Sequence, residues 1–223
     1  ESVNDESVRF NQAVEKFAFA LQLAGVNSFS NSDVQEIFDI DEKLLLQHNS
    51  LVTHSENNWG FVNALFQEHI AANKLSKMYF EEIVSLCTVG NSIKKIKTKW
   101  IQTISSLISV LNPKSELFEK IFNLIENDNI ELLFQTESSK YEDDLKLSLI
   151  KKLINKCSLQ NTRTQIIYED TIGYFIQTSN ACKNYLLEIL AKRQLTDRIK
   201  VVCCKIIRNS LLNFEQQKKY TEF

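Results

Sequence analysis

A chain of 223 residues holds one large domain or two small ones, and 43% hydrophobic with 24% charged residues is a globular composition. Four glycines and one proline leave little turn chemistry, which disfavours folds rich in tight β-turns and favours long helices joined by polar loops. The net charge of −2 divides unevenly: residues 1–75 carry 4 Lys/Arg against 11 Asp/Glu, and residues 76–223 carry 22 against 17, so the first part is a poor match for nucleic acid. No apolar run of membrane-spanning length and no signal-peptide pattern before Phe10 are found, so the chain is expected to be a cytoplasmic fragment of a longer protein with no membrane partner. The five cysteines, Cys87, Cys157, Cys182, Cys203 and Cys204, are odd in number and irregularly spaced, and are expected as reduced thiols, mostly in the core.

From Phe10 to Leu23 the spacing of Val14, Phe17, Ala18, Leu21 and Ala24 predicts an amphipathic helix, with Gly25 as its left-handed stop. Ser30 or Ser32 then caps a short helix with Val34, Ile37 and Phe38 inward. Leu44 to Leu46 marks a third short helix or turn. Leu51–Thr53 and Trp59–Val62 alternate and are β-prone, with His54 to Asn58 as the polar turn between two strands. Asn63 caps the next helix, which carries Leu65, Phe66, Ile70 and Ala71; Phe61 and Phe66 are expected in the core. This order suits a winged-helix module over residues 1–75, with a short two-stranded wing.

After Met78 the periodicity predicts only helices. Their apolar stripes are Phe80, Ile83, Val84 and Cys87; then Trp100 to Leu111, stopped by Pro113; then Phe118 to Ile125 behind a Ser115 cap. Leu145 to Cys157 follows, then Ile166, Ile167, Thr171, Tyr174 and Phe175, then Cys182 to Leu190, and last Ile199 to Leu211. Seven helices with short loops make residues 76–223 an α-helical repeat or bundle region without a strict period. Asn127 to Lys140 reads as a polar, flexible connection. Phe214–Phe223 is a candidate polar cap for the last helix.

No phosphate-binding loop is present, because Gly25, Gly60, Gly90 and Gly173 are too scattered to wrap a phosphate. His48, His54 and His69 lack metal-ligand spacing, and no nucleophile and base share a motif, so no catalytic residue, metal or bound cofactor is assigned to this chain. Lys94, Lys95, Lys97 and Lys99 precede Trp100 and form the densest basic run. It reads either as a partner surface or as a solvated helix entrance. Lysines at a helix start oppose the macrodipole, so something other than helix stability is expected to retain them.

Residues 59–72, Trp-Gly-Phe-Val-Asn-Ala-Leu-Phe-Gln-Glu-His-Ile-Ala-Ala, resemble the end of the winged-helix module in NACHT-type signalling NTPases of the STAND class. Phe61, Phe66, Gln67, Glu68, Ile70, Ala71 and Ala72 match the family pattern. Asn63 stands where the family usually has His, and His69 where it usually has Tyr or Phe. Trp100 to Leu107 is similar to a helix that often follows. The resemblance implies a regulatory region of an ATP-driven switch, set in immunity-type or anti-phage signalling, whose partner is its own NTPase domain elsewhere in the intact protein. It implies that ADP or ATP-Mg is held by that domain, with Asn63 as the residue that would sense it. The alternatives are a helical-repeat scaffold for protein–protein interaction and, third, a winged-helix nucleic-acid binder, which the acidic first part disfavours.

Overall fold

The computed structural model describes residues 3–55, 57–159, 169–192 and 196–210. Among these the chain is mainly helical, with two small antiparallel sheets. It divides into two compact units, Glu1–Ile121 and Phe122–Phe223. The sequence-based boundary at residue 75 thus falls inside the first unit.

The first unit begins with α1 (Val3–Ala24), whose stripe of Ala13, Val14, Phe17, Ala18 and Leu21 is buried as its spacing requires. Gly25 ends it at φ 74°, and the N–H groups of Gly25 and Val26 both close on Leu21 O, at 2.9 and 3.1 Å. That left-handed stop favours glycine, which carries no Cβ. A short strand β1 (Ser28–Ser30) follows. Ser30 then opens α2 (Asn31–Ile37) with a capping box: Asp33 N–H donates to Ser30 Oγ at 3.2 Å, and Ser30 N–H to Asp33 Oδ2 at 2.8 Å. Asp39 and Glu42 repeat the device at α3 (Ile40–Gln47). Val34 and Phe38 fill the inward face of α2, and Ile37, expected inward, lies exposed on its flank.

Strands β2 (Val52–His54) and β3 (Asn58–Phe61) pair antiparallel as expected. β1 pairs with the other edge of β3, so the sheet has three strands in the order β1-β3-β2. Ser-Phe-Ser was too short to announce a strand by its own alternation. The core gathers around Phe17, whose ring meets Phe29 at 6.3 Å, Phe38 at 5.8 Å and Phe61 at 5.4 Å. Each fully buried ring of this kind contributes about 1.5–3 kcal/mol by transfer alone.

Helix α4 (Ala64–Leu75) packs on α1 and on α6 (Ile101–Val110), with Ala71, Ala72 and Leu75 fully buried. Small residues at 71 and 72 let the helices approach. Between them come α5 (Phe80–Cys87), β4 (Thr88–Val89), β5 (Lys95–Ile96) and a single 3-10 turn at Thr98–Trp100. The expectation of helices alone after Met78 is therefore corrected by a β4–β5 hairpin. Gly90 permits it at φ 92°, where an added Cβ would stand 2.4 Å from Ile93 O. Helix α7 (Glu116–Asn129) is capped by Ser115, which accepts from Phe118 N–H at 3.2 Å.

In the second unit, Asn127 to Lys140 is not the polar connection expected. A 3-10 turn at Ile130–Gln135 buries Ile130, Leu132, Leu133 and Phe134. Thr136 Oγ1 donates to Leu133 O at 2.6 Å, so Tyr141 OH, 2.7 Å away, donates to Thr136 Oγ1. Phe175 packs on Phe134 and Tyr141, each at 5.2 Å between ring centres. The remaining helices are α8 (Asp143–Leu159), α9 (Glu169–Phe175), α10 (Asn180–Ala191) and α11 (Asp197–Asn209); α11 packs on α9 and α10, and α10 on α8. Along α9 the inward residues are Ile172, Phe175 and, just past its end, Ile176, while Tyr174, expected inward, is 62% exposed. Ile166, Ile167, Leu211 and Phe214–Phe223 lie outside the described residues.

Candidate functional site at the start of helix α4

Strand β3 delivers the chain to Asn63 in an extended conformation, φ −148° and ψ 135°. Asn63 Oδ1 accepts the Leu65 N–H at 2.9 Å, and Phe66 N–H closes on Asn63 O at 3.0 Å, so Asn63 caps α4 as its sequence position predicts. Its side-chain Nδ2 has no acceptor among the described residues. Val62 N–H is held by Leu51 O at 2.9 Å, which fixes the approach to the helix.

The residues expected to be structural separate into two groups. Phe61, Gln67, Ala71 and Ala72 turn inward: Phe61 packs on Phe17, and Gln67 is only 4% exposed. Phe66 does not. It is 41% exposed, beside Val62 and Leu65, the latter 66% exposed, and this corrects its expected place in the core. The helical spacing explains the exchange. Gln67, Ala71 and Leu75 recur every four residues on the face toward α1 and α6, and Phe66 stands about 100° around the helix from that row. The signal that placed Phe66 inward was hydrophobicity; the signal that places it outward is phase.

Gln67 carries the polar contacts of that inner face. Its Nε2 donates to Gln22 Oε1 and to Val26 O, both at 3.2 Å, and Gln22 Nε2 donates in turn to Lys99 O. Gln67 Oε1 is buried and receives no hydrogen bond among the described residues. Glu68 is half-buried, and burial raises its carboxyl above the ordinary range. A cavity of about 250 Å³ opens here, lined by Gln22, Asn27, Ala64, Gln67, Glu68, Thr98, Lys99 and Gln102 among others. Gln22 belongs to no sequence motif. It lies four residues after Ala18 on the buried side of α1, and a glutamine in that row is the signal for an internal polar partner.

The basic run is mostly accounted for within the fold. Lys97 Nζ donates to Leu86 O at 2.6 Å and its N–H to Cys87 O at 2.8 Å, at the C-terminal end of α5. Lys99 Nζ donates to Leu23 O, at the C-terminal end of α1. Cations are favoured at those ends by the exposed carbonyls and the macrodipole. Lys94 Nζ closes the hairpin on Gly90 O at 2.8 Å, and Lys95 stays exposed on β5. Burial pushes the Cys87 and Cys203 thiols each up to about 12, the reverse of a reactive cysteine. Among the described residues no group of His, Cys, Asp and Glu is placed to hold a metal ion, and no helix is long and apolar enough to cross a membrane.

No family model, curated protein or solved structure matches this chain.

Proposed function

We propose that the chain is a non-catalytic regulatory region of a NACHT-type STAND NTPase, in which a winged-helix module couples the nucleotide state of an NTPase domain to sensing or effector action. The observation that carries this reading is the outward set of Val62, Leu65 and Phe66 around the Asn63 cap. Three apolar residues within five positions, at a turn fixed by backbone hydrogen bonds, form a surface whose exposure costs free energy until a partner covers it. They occur in the segment that resembles the family. The order α1, β1, α2, α3, β2, β3, with sheet order β1-β3-β2, supports the winged-helix reading.

ADP or ATP-Mg belongs, on this reading, to the NTPase domain. The fit of Asn63 to it is partial. Nδ2 is uncommitted among the described residues and sits at a helix start, so it suits one neutral hydrogen bond to a phosphate oxygen and no charge pairing. The bound nucleotide supplies the charge that this contact senses. The acidic balance of residues 1–75 disfavours nucleic acid as the alternative partner.

The test is the ADP dissociation rate of the intact protein. Asn63→His restores the family's residue and slows dissociation by about tenfold or more, the effect of an added hydrogen bond to a charged oxygen. Asn63→Ala speeds it. Equal rates in all three proteins would reject the nucleotide-sensing role and leave a helical scaffold as the better account.

A further inference from the structure

We infer that the groove between α2 and α3 is a docking site for a short amphipathic helix of a protein partner, aliphatic on one face and basic along its flanks. The groove encloses about 340 Å³. Val34, fully buried, and Trp59, 5% exposed, form its floor. Ile40 and Leu44 form an apolar wall, 72% and 49% exposed, and their i, i+4 spacing puts them on one face of α3. Aliphatic side chains held in water above an apolar floor cost free energy until another apolar face covers them. Between two helices, the face that fits is the apolar stripe of a third.

The groove is set before any partner arrives. Each of its helices starts with a capping box, Ser30 with Asp33 and Asp39 with Glu42. Trp59 Nε1 donates to Asn31 Oδ1 at 2.5 Å, and His54, opposite it on β2, stacks on the indole with ring centres 5.2 Å apart. A floor held in this way leaves little to order on binding, which lowers the entropic cost of docking.

Charge selects the occupant. Residues 31–47 carry Asp33, Glu36, Asp39, Asp41 and Glu42, and Lys43, which lines the groove, is the one cation of this stretch. Lys16 of α1 pairs with Glu42 at 2.8 Å, which leaves four carboxylates against one ammonium. Glu36 and Asp41 are exposed, and their carboxylates have no partner among the described residues. They follow the lining residues Gln35 and Ile40 directly, so the groove is bordered by unpaired negative charge. Nucleic acid, an anionic lipid surface and an acidic peptide are repelled by that balance, and a second copy meeting this face with its own would set like charge on like. A helix whose aliphatic row covers Ile40 and Leu44, with Lys or Arg beside the row to meet Glu36 and Asp41, satisfies both the apolar wall and its border. The groove uses none of Val62, Asn63, Leu65 and Phe66, so the inference does not rest on the nucleotide-coupled reading.

The test uses the whole chain, 15N-labelled, titrated with an end-capped amphipathic helix peptide of Leu and Lys, its Leu–Glu counterpart, and a scrambled Leu–Lys peptide of the same composition. Saturable shifts at the Trp59 indole N–H and at the Ile40, Lys43 and Leu44 backbone amides are expected with the ordered Leu–Lys peptide alone, and affinity falls as salt is raised. The double variant Ile40→Ser, Leu44→Ser weakens binding about tenfold or more, and Glu36→Gln, Asp41→Asn about threefold or more. Both pairs lie at exposed positions, and undisturbed amide signals elsewhere verify that the variants are folded. Leu65→Ser, Phe66→Ser leaves the response in place. No saturable shift at these signals, an equal response to the Leu–Glu or the scrambled peptide, or unchanged affinity in either groove variant would each overturn the site. Self-association of the chain centred on the same signals would overturn it too, by assigning the groove to a second copy.

Discussion

Phe17→Ala and Phe66→Ala separate the two faces of the first unit. Phe17 is fully buried, ringed by Phe29, Phe38 and Phe61, so truncation removes its transfer free energy and leaves a cavity among rigid aromatic neighbours. Such changes cost about 3–5 kcal/mol. Phe66 is 41% exposed, so roughly three-fifths of a full burial term of about 1.5–3 kcal/mol is at stake, and water refills the space. The expected loss is about 1–2 kcal/mol. The assay is urea denaturation followed by tryptophan fluorescence. Both tryptophans of the chain, Trp59 and Trp100, are buried in the first unit, so the signal reports on that unit. Midpoints are compared at unchanged slope, which keeps the difference a stability difference. Losses of equal size in the two variants would refute the phase argument that turns Phe66 outward.

Alkaline pH provides a second test. Cys87 has its thiol raised from 9.0 to about 12, so the unfolded chain releases this proton first, and stability present below about pH 9 is lost as pH rises toward 12. Native Cys87 and Cys203 should accordingly react with a thiol reagent at pH 8 far more slowly than after denaturation, as mass spectrometry of labelled peptides would show; fast native labelling would contradict their burial. In the second unit, a Cβ at Gly173 would lie 2.5 Å from Asn209 Cβ and 2.8 Å from Asn209 C, where α9 meets α11. Gly173→Ala should cost about 1–3 kcal/mol by overpacking, read from urea denaturation by circular dichroism.

Local rules made much of the fold legible. The stripe of α1, its glycine stop, the Ser30 cap, the strand pair before Asn63 and the Asn63 cap each depend on residues within a turn or two of one another, and each is present. Readings that needed tertiary context failed. β1 exists because β3 has a free edge, not because Ser-Phe-Ser is β-prone. Ile130 to Phe134 is buried although its neighbours are polar, because Phe175 and Tyr141 close over that region. Phe66 and Tyr174, both expected inward, lie exposed because the buried rows run instead through Gln67, Ala71 and Leu75 and through Ile172, Phe175 and Ile176.

The candidate site shows the same limit in its polar residues. A glutamine in a helix reads as solvated, and two of them, Gln22 and Gln67, are instead buried against each other across 45 positions of sequence. No local pattern encodes that pairing; it exists because α1 and α4 pack with those two positions facing. The lysines before Trp100 give the complementary case. Read on their own segment they oppose the helix they precede, yet Lys97 and Lys99 serve the C-terminal ends of α5 and α1, where a cation is favoured. Charge that is unfavourable for its own helix is thus retained for another.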